Sequence, residues 1–177
     1  MPCTIRIDGP IEKRAQCMMA GLALLVALPL PSAASGEKLL NPLHFFAGRT
    51  ESEGTIVVLT KKRRHMRSVG RGRIMADGSL MLVQRVEEPG RPAYDRRWHI
   101  RQISPGLFSG TMSEAKGPVT IDEIGGRYRF RFRMKGHLSV EQWLTPLPGG
   151  KSVRNTMTIR KFGLAVAHSE GTIRKIH

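Results

Sequence analysis

Apolar and polar residues alternate along most of the chain. The alternation is clearest in the segment 127–134, where Tyr128, Phe130, Phe132 and Met134 alternate with four arginines. Side chains of a β-strand point alternately to its two faces, so this segment has one apolar and one cationic face, which is typical of a half-buried strand. The pattern predicts ten strands, at 54–59, 66–75, 80–88, 94–103, 107–113, 119–124, 127–134, 138–145, 153–162 and 164–176.

Turn-forming residues separate these strands at intervals of about ten residues, which is typical of all-β folds. Asp77-Gly78 is the strongest hairpin signal, because both residue types adopt the backbone of tight turns readily. Ten short strands and tight turns predict a single antiparallel up-and-down β-barrel of the lipocalin or calycin type, with about eight to ten strands, since closure removes unpaired edges. A two-sheet sandwich is the alternative. Glycines inside strands indicate bends or bulges, at Gly70, Gly72, Gly110 and Gly171.

A secretory signal peptide is predicted at residues 1–34. Lys13 and Arg14 precede an apolar run at 18–30, and small residues follow, which are the three parts of such a peptide. We place the cleavage after Ala34, and cleavage one residue later is nearly as well supported. A retained membrane anchor is the other interpretation, but the apolar run is shorter than the roughly 20 residues that cross a bilayer.

Both cysteines, Cys3 and Cys17, precede the predicted cleavage site. The mature chain would therefore have no disulfide-linked partner, no thiol nucleophile and no cysteine-ligated metal. We expect a soluble exported protein, periplasmic or secreted, with one barrel domain over 35–177. A short helix or cap at 39–46 precedes the barrel, because Pro42 suits a first helical turn.

Positive charge, mostly from arginine, is the strongest chemical signal. The 177 residues include 29 Lys+Arg and 14 Asp+Glu, for a formal net charge of +15. Guanidinium groups prefer bidentate contact with phosphate or carboxylate, so an anionic lipid or membrane surface is the expected partner, and a merely solvated basic surface is the alternative. Export and the lack of stacking aromatics argue against nucleic acid. The candidate head-group-binding residues are Arg97, Arg101, Arg127, Arg129, Arg131 and Arg133.

Aromatic and amide side chains are the candidates for contact with a small ligand. Trp98 and Trp143 either line a ligand cavity or serve as core anchors at one end of the barrel. Asn155 shares its predicted face with apolar residues, so it is either a satisfied core amide or the polar contact of an apolar pocket. The candidate ligand-binding residues are Trp98, Trp143, Asn155, Phe130 and Phe132, of which the two phenylalanines also suit the core.

Motifs typical of catalysis or metal binding are missing from the sequence. There is no Gly-x-Ser-x-Gly turn, no His-Glu-x-x-His pair and no phosphate-binding loop. The six histidines lie scattered, without the spacing of metal ligands. The sequence therefore predicts no enzymatic activity, no cofactor and no metal site.

Several short segments together resemble the bacterial domain-of-unknown-function family 3833, whose members are often described as lipoproteins. The resemblance implies an envelope location and a lipocalin-like barrel, but no activity and no catalytic residues. No cysteine stands at the predicted cleavage site, so lipid anchoring does not carry over to this chain. The resembling segments are Phe45-Phe46-Ala47-Gly48 with Gly54 after it, Arg97-Trp98, residues 110–117, Glu141-Gln142-Trp143, Asn155 and residues 161–166.

The leading hypothesis is an exported, non-enzymatic, lipocalin-like protein that binds a lipid or small amphiphile. Its apolar interior would hold the ligand, and its basic outer face would meet anionic head groups. The alternative is an envelope structural or interaction module with a packed barrel and no ligand. Interior volume distinguishes the two hypotheses, because a barrel of this size is either filled by side chains or holds one ligand.

Overall fold

The protein folds into a barrel that is closed by hydrogen bonds on every side. The structure, a computed structural model, describes residues 40–59 and 61–176. The predicted signal peptide at 1–34 and its two cysteines lie outside the described residues. The elements are α1 (Pro42–Phe46), β1 (Gly48–Val58), β2 (Arg64–Ile74), β3 (Leu80–Glu87), β4 (Tyr94–Ser104), β5 (Leu107–Met112), β6 (Val119–Ile124), β7 (Arg127–Met134), β8 (Leu138–Pro146), β9 (Ser152–Lys161) and β10 (Leu164–Ile176).

Each strand pairs antiparallel with its neighbours in sequence, and β1 closes the barrel by pairing with β10. This register runs from Arg49 opposite Ile176 to Val58 opposite Ala167. The prediction of an up-and-down barrel is confirmed, and the two-sheet sandwich is excluded. Within the part of the chain that the structure describes, no helix is long and apolar enough to cross a membrane.

Alternation along the strands separates an apolar interior from a charged exterior. In β7, Tyr128, Phe130 and Phe132 are buried, whereas the arginines between them lie on the outer surface. The neighbouring strands contribute Trp98, Ile100 and other large side chains to the same core. The half-buried character predicted for this strand is therefore confirmed, because its aromatic face is removed from water while its cationic face stays hydrated.

Helix α1 closes one end of the barrel. Its N-terminus is capped by Asn41, whose side-chain oxygen accepts a hydrogen bond of 2.9 Å from the Leu43 amide. Phe45 and Phe46 are buried in the core. Lys175 of β10 donates from Nζ to the carbonyl oxygens of His44 at 2.6 Å and Ala47 at 2.8 Å, which fixes the C-terminal end of the helix. We call the opposite end the mouth. The described residues that connect the strands there are 59, 61–63, 88–93, 113–118, 135–137 and 162–163.

The strand glycines permit close approach of backbone segments, and the bulges lie elsewhere. A Cβ atom at Gly72 would collide with the carbonyl oxygen of Phe46, and one at Gly171 would collide with the β1 backbone at Glu53 and Gly54. The irregular pairings occur between Gln102 and Ser104 and between Ala165 and Ala167. Of the predicted bends or bulges at these glycines, the bulges are therefore wrong, because each glycine is needed for space beside a neighbouring chain segment.

Strand β1 begins earlier than the alternation predicts. Its first residues carry polar side chains on both faces, with Thr50 and Ser52 inward and Arg49 and Glu51 outward. Hydrophobic periodicity cannot detect such a strand, although Thr50 is almost fully buried.

Candidate functional site

A cavity of about 80 Å³ lies inside the barrel, between α1 and the mouth. The cavity has apolar walls into which several amide and hydroxyl groups project. Its apolar lining includes Met66, Leu82, Val86, Trp98, Phe130 and Met157. Its polar lining includes Ser52, Ser68, Gln84, Gln142, Asn155 and Ser169.

Two hydrogen-bonded pairs hold the amide groups in place. The indole Nε1 of Trp98 donates to Oε1 of Gln84 at 2.7 Å, and Nε2 of Gln142 donates to Oδ1 of Asn155 at 2.8 Å. Each amide has more hydrogen-bonding capacity than these bonds use, since a carboxamide offers two N–H donors and an oxygen acceptor. Asn155 is thus both a hydrogen-bonded amide and part of the cavity wall. The sequence left these two interpretations, a satisfied core amide and a polar contact of a pocket, as alternatives, and the structure shows both.

Trp98 and Phe130 form the aromatic side of the cavity. Their ring centroids lie 6.3 Å apart at 86°, which is an edge-to-face contact. Phe132 makes a similar contact with Trp98, at 5.9 Å and 89°, but does not line the cavity. The structure therefore places Phe132 in the core behind the indole, where it holds Trp98 in one orientation.

Trp143 lies on the outer surface and not in the interior. Its ring is 4.6 Å from the guanidinium carbon of Arg127 and 5.7 Å from that of Arg129. The expectation that Trp143 lines a cavity or anchors the core is therefore wrong. The reason is its position in β8, where Val140, Gln142 and Leu144 point inward and the residues between them point outward. The alternation in the sequence already contained this signal.

The six candidate arginines all project from the outer surface, but in two separate rows. Arg97 and Arg101 lie on β4, and the row of four lies on β7, with β5 and β6 between them. Asp122 of β6 accepts hydrogen bonds from Arg129 at 3.3 Å and Arg131 at 2.9 Å. A single continuous cationic face, which would require neighbouring strands to align, is therefore not formed. Whether either row binds head groups stays a prediction.

The sequence did not predict a series of hydrogen-bonded polar side chains at the mouth. Arg96 lines the cavity and donates from Nε to Oε1 of Glu114 at 3.0 Å and from Nη2 to the Tyr94 hydroxyl at 3.1 Å. The Tyr94 hydroxyl donates to Oε1 of Glu88 at 3.2 Å. Burial raises the pKa of Tyr94, an effect that the nearby Arg96 charge opposes. The alternation in β4 could have identified Arg96 as an inward residue, because it places Arg96 on the same face as Trp98.

Metal-binding clusters are not found in the part of the chain that the structure describes, where no three His, Asp, Glu or Cys side chains come together. The cavity is lined by amides and hydroxyls and, toward the mouth, by the guanidinium of Arg96. These groups suit a polar group of a ligand better than a metal cation.

Comparison with known proteins identifies the fold but no family. No protein-family profile and no curated protein matches this chain. An S-type phycobiliprotein lyase from Guillardia theta is similar in structure, with a TM-score of 0.60 and 9% sequence identity over 76% of this chain and 92% of the lyase. A protein of unknown function from Nostoc punctiforme, of the DUF3598 family, gives a TM-score of 0.56 and 10% identity over 77% of this chain. The match covers 50% of that second protein.

The fold and the cavity define this protein as a lipocalin-like barrel. The prediction that the protein is not an enzyme is wrong, because a protein named as a lyase has the same fold and the fold therefore does not exclude enzymatic activity. The prediction relied on missing sequence motifs, and a fold of this kind supports different activities through the residues placed in and around the barrel.

Proposed function

We propose that the protein binds a lipid or another small amphiphile inside the barrel, and that the ligand enters through the mouth. The observation that carries the proposal is the convergence of Gln84, Gln142 and Asn155 on one apolar cavity. A few directed polar groups in an otherwise apolar concave surface are typical of small-molecule sites. The same barrel in a protein named as a phycobiliprotein lyase supports the use of this fold for binding.

The polar group of the ligand would contact the amides, and its apolar part would extend toward the mouth past Met66, Val86 and Met157. The cavity of about 80 Å³ is small beside ligand pockets of roughly 300–1000 Å³. Binding therefore requires side chains to move. Met66 and Met157 suit this movement because methionine is unbranched and has three rotatable side-chain bonds.

The small cavity also favours a second candidate, an envelope interaction module with a packed barrel and no ligand. The predicted export and the resemblance to family 3833 are compatible with either candidate. These two inferences depend on the sequence alone. In the second candidate, the arginine rows of β4 and β7 would be the contact surfaces.

Native mass spectrometry of the full-length protein, purified from the cells that make it, tests the first candidate. We expect a bound molecule that organic extraction releases. Replacing two of the three cavity amides, by Gln142→Leu and Asn155→Leu, should abolish its retention while circular dichroism stays unchanged, since the two residues bond mainly to each other.

The matched control is Trp143→Phe, which changes an aromatic residue of β8 on the outer surface. This variant should retain the ligand. If the parent protein carries no small molecule and takes up no fluorescent acyl probe, the packed-barrel candidate replaces the first.

A further inference from the structure

Three large apolar side chains are strongly exposed together at the mouth. Leu59 is 66% exposed, Phe162 is 75% exposed and Leu164 is 74% exposed. Leu59 follows β1, and the other two belong to the β9–β10 connection and the start of β10. These connections are neighbours, because β1 pairs with β10 and the Leu59 amide donates to the Val166 carbonyl at 2.8 Å. Clustered apolar exposure of this kind marks an interaction surface more often than scattered exposure does.

Cationic side chains surround this apolar cluster. Lys61, Lys62 and Arg63 follow Leu59 in the β1–β2 connection, and Lys161 precedes Phe162 with its Nζ 5.8 Å from the phenyl centroid. Lys135 lies in the β7–β8 connection, whose His137 stacks on Phe162 at a ring-centroid distance of 5.3 Å. All five cations are exposed, and none forms an ion pair with a carboxylate of the described residues.

The acidic residues of the mouth lie on its other side. Glu87 and Glu88 are at the β3–β4 connection, and Glu114 is at the β5–β6 connection. Glu88 and Glu114 are already paired, with Arg91 and Arg96 respectively. One side of the mouth is therefore apolar and cationic, and the other contains carboxylates.

The two-residue turn Phe162-Gly163 accounts for the left-handed backbone of Phe162 but not for its exposed phenyl ring. Phe162 has a φ of +50°, a left-handed backbone that a bulky residue adopts only with strain. Its ring gains little burial in return, since its only ring contacts among the described residues are with His137 and Lys161. A strained and exposed aromatic residue at the tip of a hairpin is suited to contact with something outside the chain.

We infer that this side of the mouth docks on an anionic lipid bilayer. We call the docking surface the rim patch, and it consists of Leu59, Lys61, Lys62, Arg63, Lys135, Lys161, Phe162 and Leu164. Its apolar side chains would enter the interfacial layer of the bilayer, while its cations would meet the phosphates of the head groups. The positive charge of the patch is complementary to anionic lipid, which is therefore the partner we infer. Docking through this patch would direct the open end of the barrel toward the membrane. This inference does not depend on whether the cavity holds a ligand.

Vesicle sedimentation of the full-length protein tests the inference, with phosphatidylcholine vesicles compared with vesicles of equal parts phosphatidylcholine and phosphatidylglycerol. Binding should favour the anionic vesicles and fall as salt rises. The double variant Phe162→Ser and Leu164→Ser should weaken binding by about tenfold or more, because it removes two inserting side chains. Lys61→Glu with Lys62→Glu should abolish the preference for anionic vesicles.

Two controls change the barrel wall and leave the mouth unchanged. Met81→Ser with Val83→Ser removes exposed apolar side chains of β3, and Arg71→Glu with Arg73→Glu reverses the outer charge of β2. All variants share residues 1–39, so any lipid affinity of that segment contributes equally. An equal loss in a wall variant, or undiminished binding by the rim variants, overturns the inference.

A spectroscopic measurement tests the location directly. In a Phe162→Trp variant, the added indole should shift its emission to shorter wavelength on anionic vesicles and should be quenched by brominated lipid, relative to the parent protein. Absence of both changes while the protein is bound to vesicles would show that another surface makes the contact.

Discussion

At the scale of single residues, position within the alternation decides which side chains reach the cavity. Gln142 and Trp143 are adjacent, yet the amide lines the cavity and the indole packs against arginines on the outer surface. Arg96 and Arg97 are divided in the same way, with only Arg96 turned inward. Chemistry alone would favour the aromatic residue as the ligand contact, whereas strand geometry favours the amide.

The two tyrosines of the chain, Tyr94 and Tyr128, should titrate above their ordinary range. Burial raises the pKa of both hydroxyls, and the Glu123 carboxylate adds to the increase at Tyr128. A raised folded-state pKa means that this contribution to stability is complete below about pH 10 and is lost as pH rises through the folded-state value. Phenolate absorbance against pH, in folded and denatured protein, measures both shifts.

Tyr94→Phe provides the control for that titration. It should remove one of the two steps and leave the step of Tyr128 unchanged. Titration of the folded protein at or below the pKa of the denatured chain would contradict the predicted burial of both hydroxyls.

The sequence was sufficient to predict the inward and outward faces where apolar residues alternate, as in β7. It was insufficient where function places polar groups inside. Gln84 and Gln142 occupy inward positions, but a scan for apolar periodicity treats them as surface residues. Asn155 was identified only because its neighbours on the same face are apolar. The polar part of the site therefore became visible only from closure of the barrel, which makes Gln84 of β3 and Gln142 of β8 face one interior.

At the scale of elements, α1 is held by its buried side chains and by one lysine of the last strand. The helix has only five residues, too few to be stable alone. Lys175 joins it to β10 through the carbonyl oxygens of His44, Phe45 and Ala47.

Lys175→Met should therefore loosen α1. Loss of these charge-assisted hydrogen bonds should lower the free energy of unfolding by about 1–3 kcal/mol and increase hydrogen exchange at the Phe45 amide. Urea denaturation and amide exchange measure the two effects. Arg174→Met is the matched control, since Arg174 is exposed on the same strand. Equal effects of the two substitutions would contradict the role assigned to Lys175.

All ten strands were predicted from the sequence, but their ends were less accurate. Turn residues such as Asp77-Gly78 determine the ends of β2 and β3 well, because the turn is local. The start of β1 is polar on both faces and is defined by pairing with β2 and β10, which no local pattern reveals.

At the scale of the whole molecule, the junction between β1 and β10 closes the barrel around two facing glycines. Gly54 and Gly171 are paired across the strands so closely that a Cβ atom on either would meet the opposite backbone. This junction is also part of the cavity wall.

Gly171→Ala should open this junction. Because the obstructing atoms belong to the backbone, the expected loss of unfolding free energy is about 2–4 kcal/mol, with faster hydrogen exchange along β1 and β10. Thermal denaturation and exchange measured by mass spectrometry provide the test. Gly149→Asn is the control, since that turn has open space and a positive φ that asparagine tolerates. Unchanged exchange at β1 in the alanine variant would contradict this account.

The pairing of β1 with β10 also has a consequence for the timing of folding. The first strand finds its second partner only when the last strand is available, more than a hundred residues later. Contacts between such distant positions slow folding, because a long loop must lose entropy before they form. Until β10 is available, β1 therefore keeps one unpaired edge.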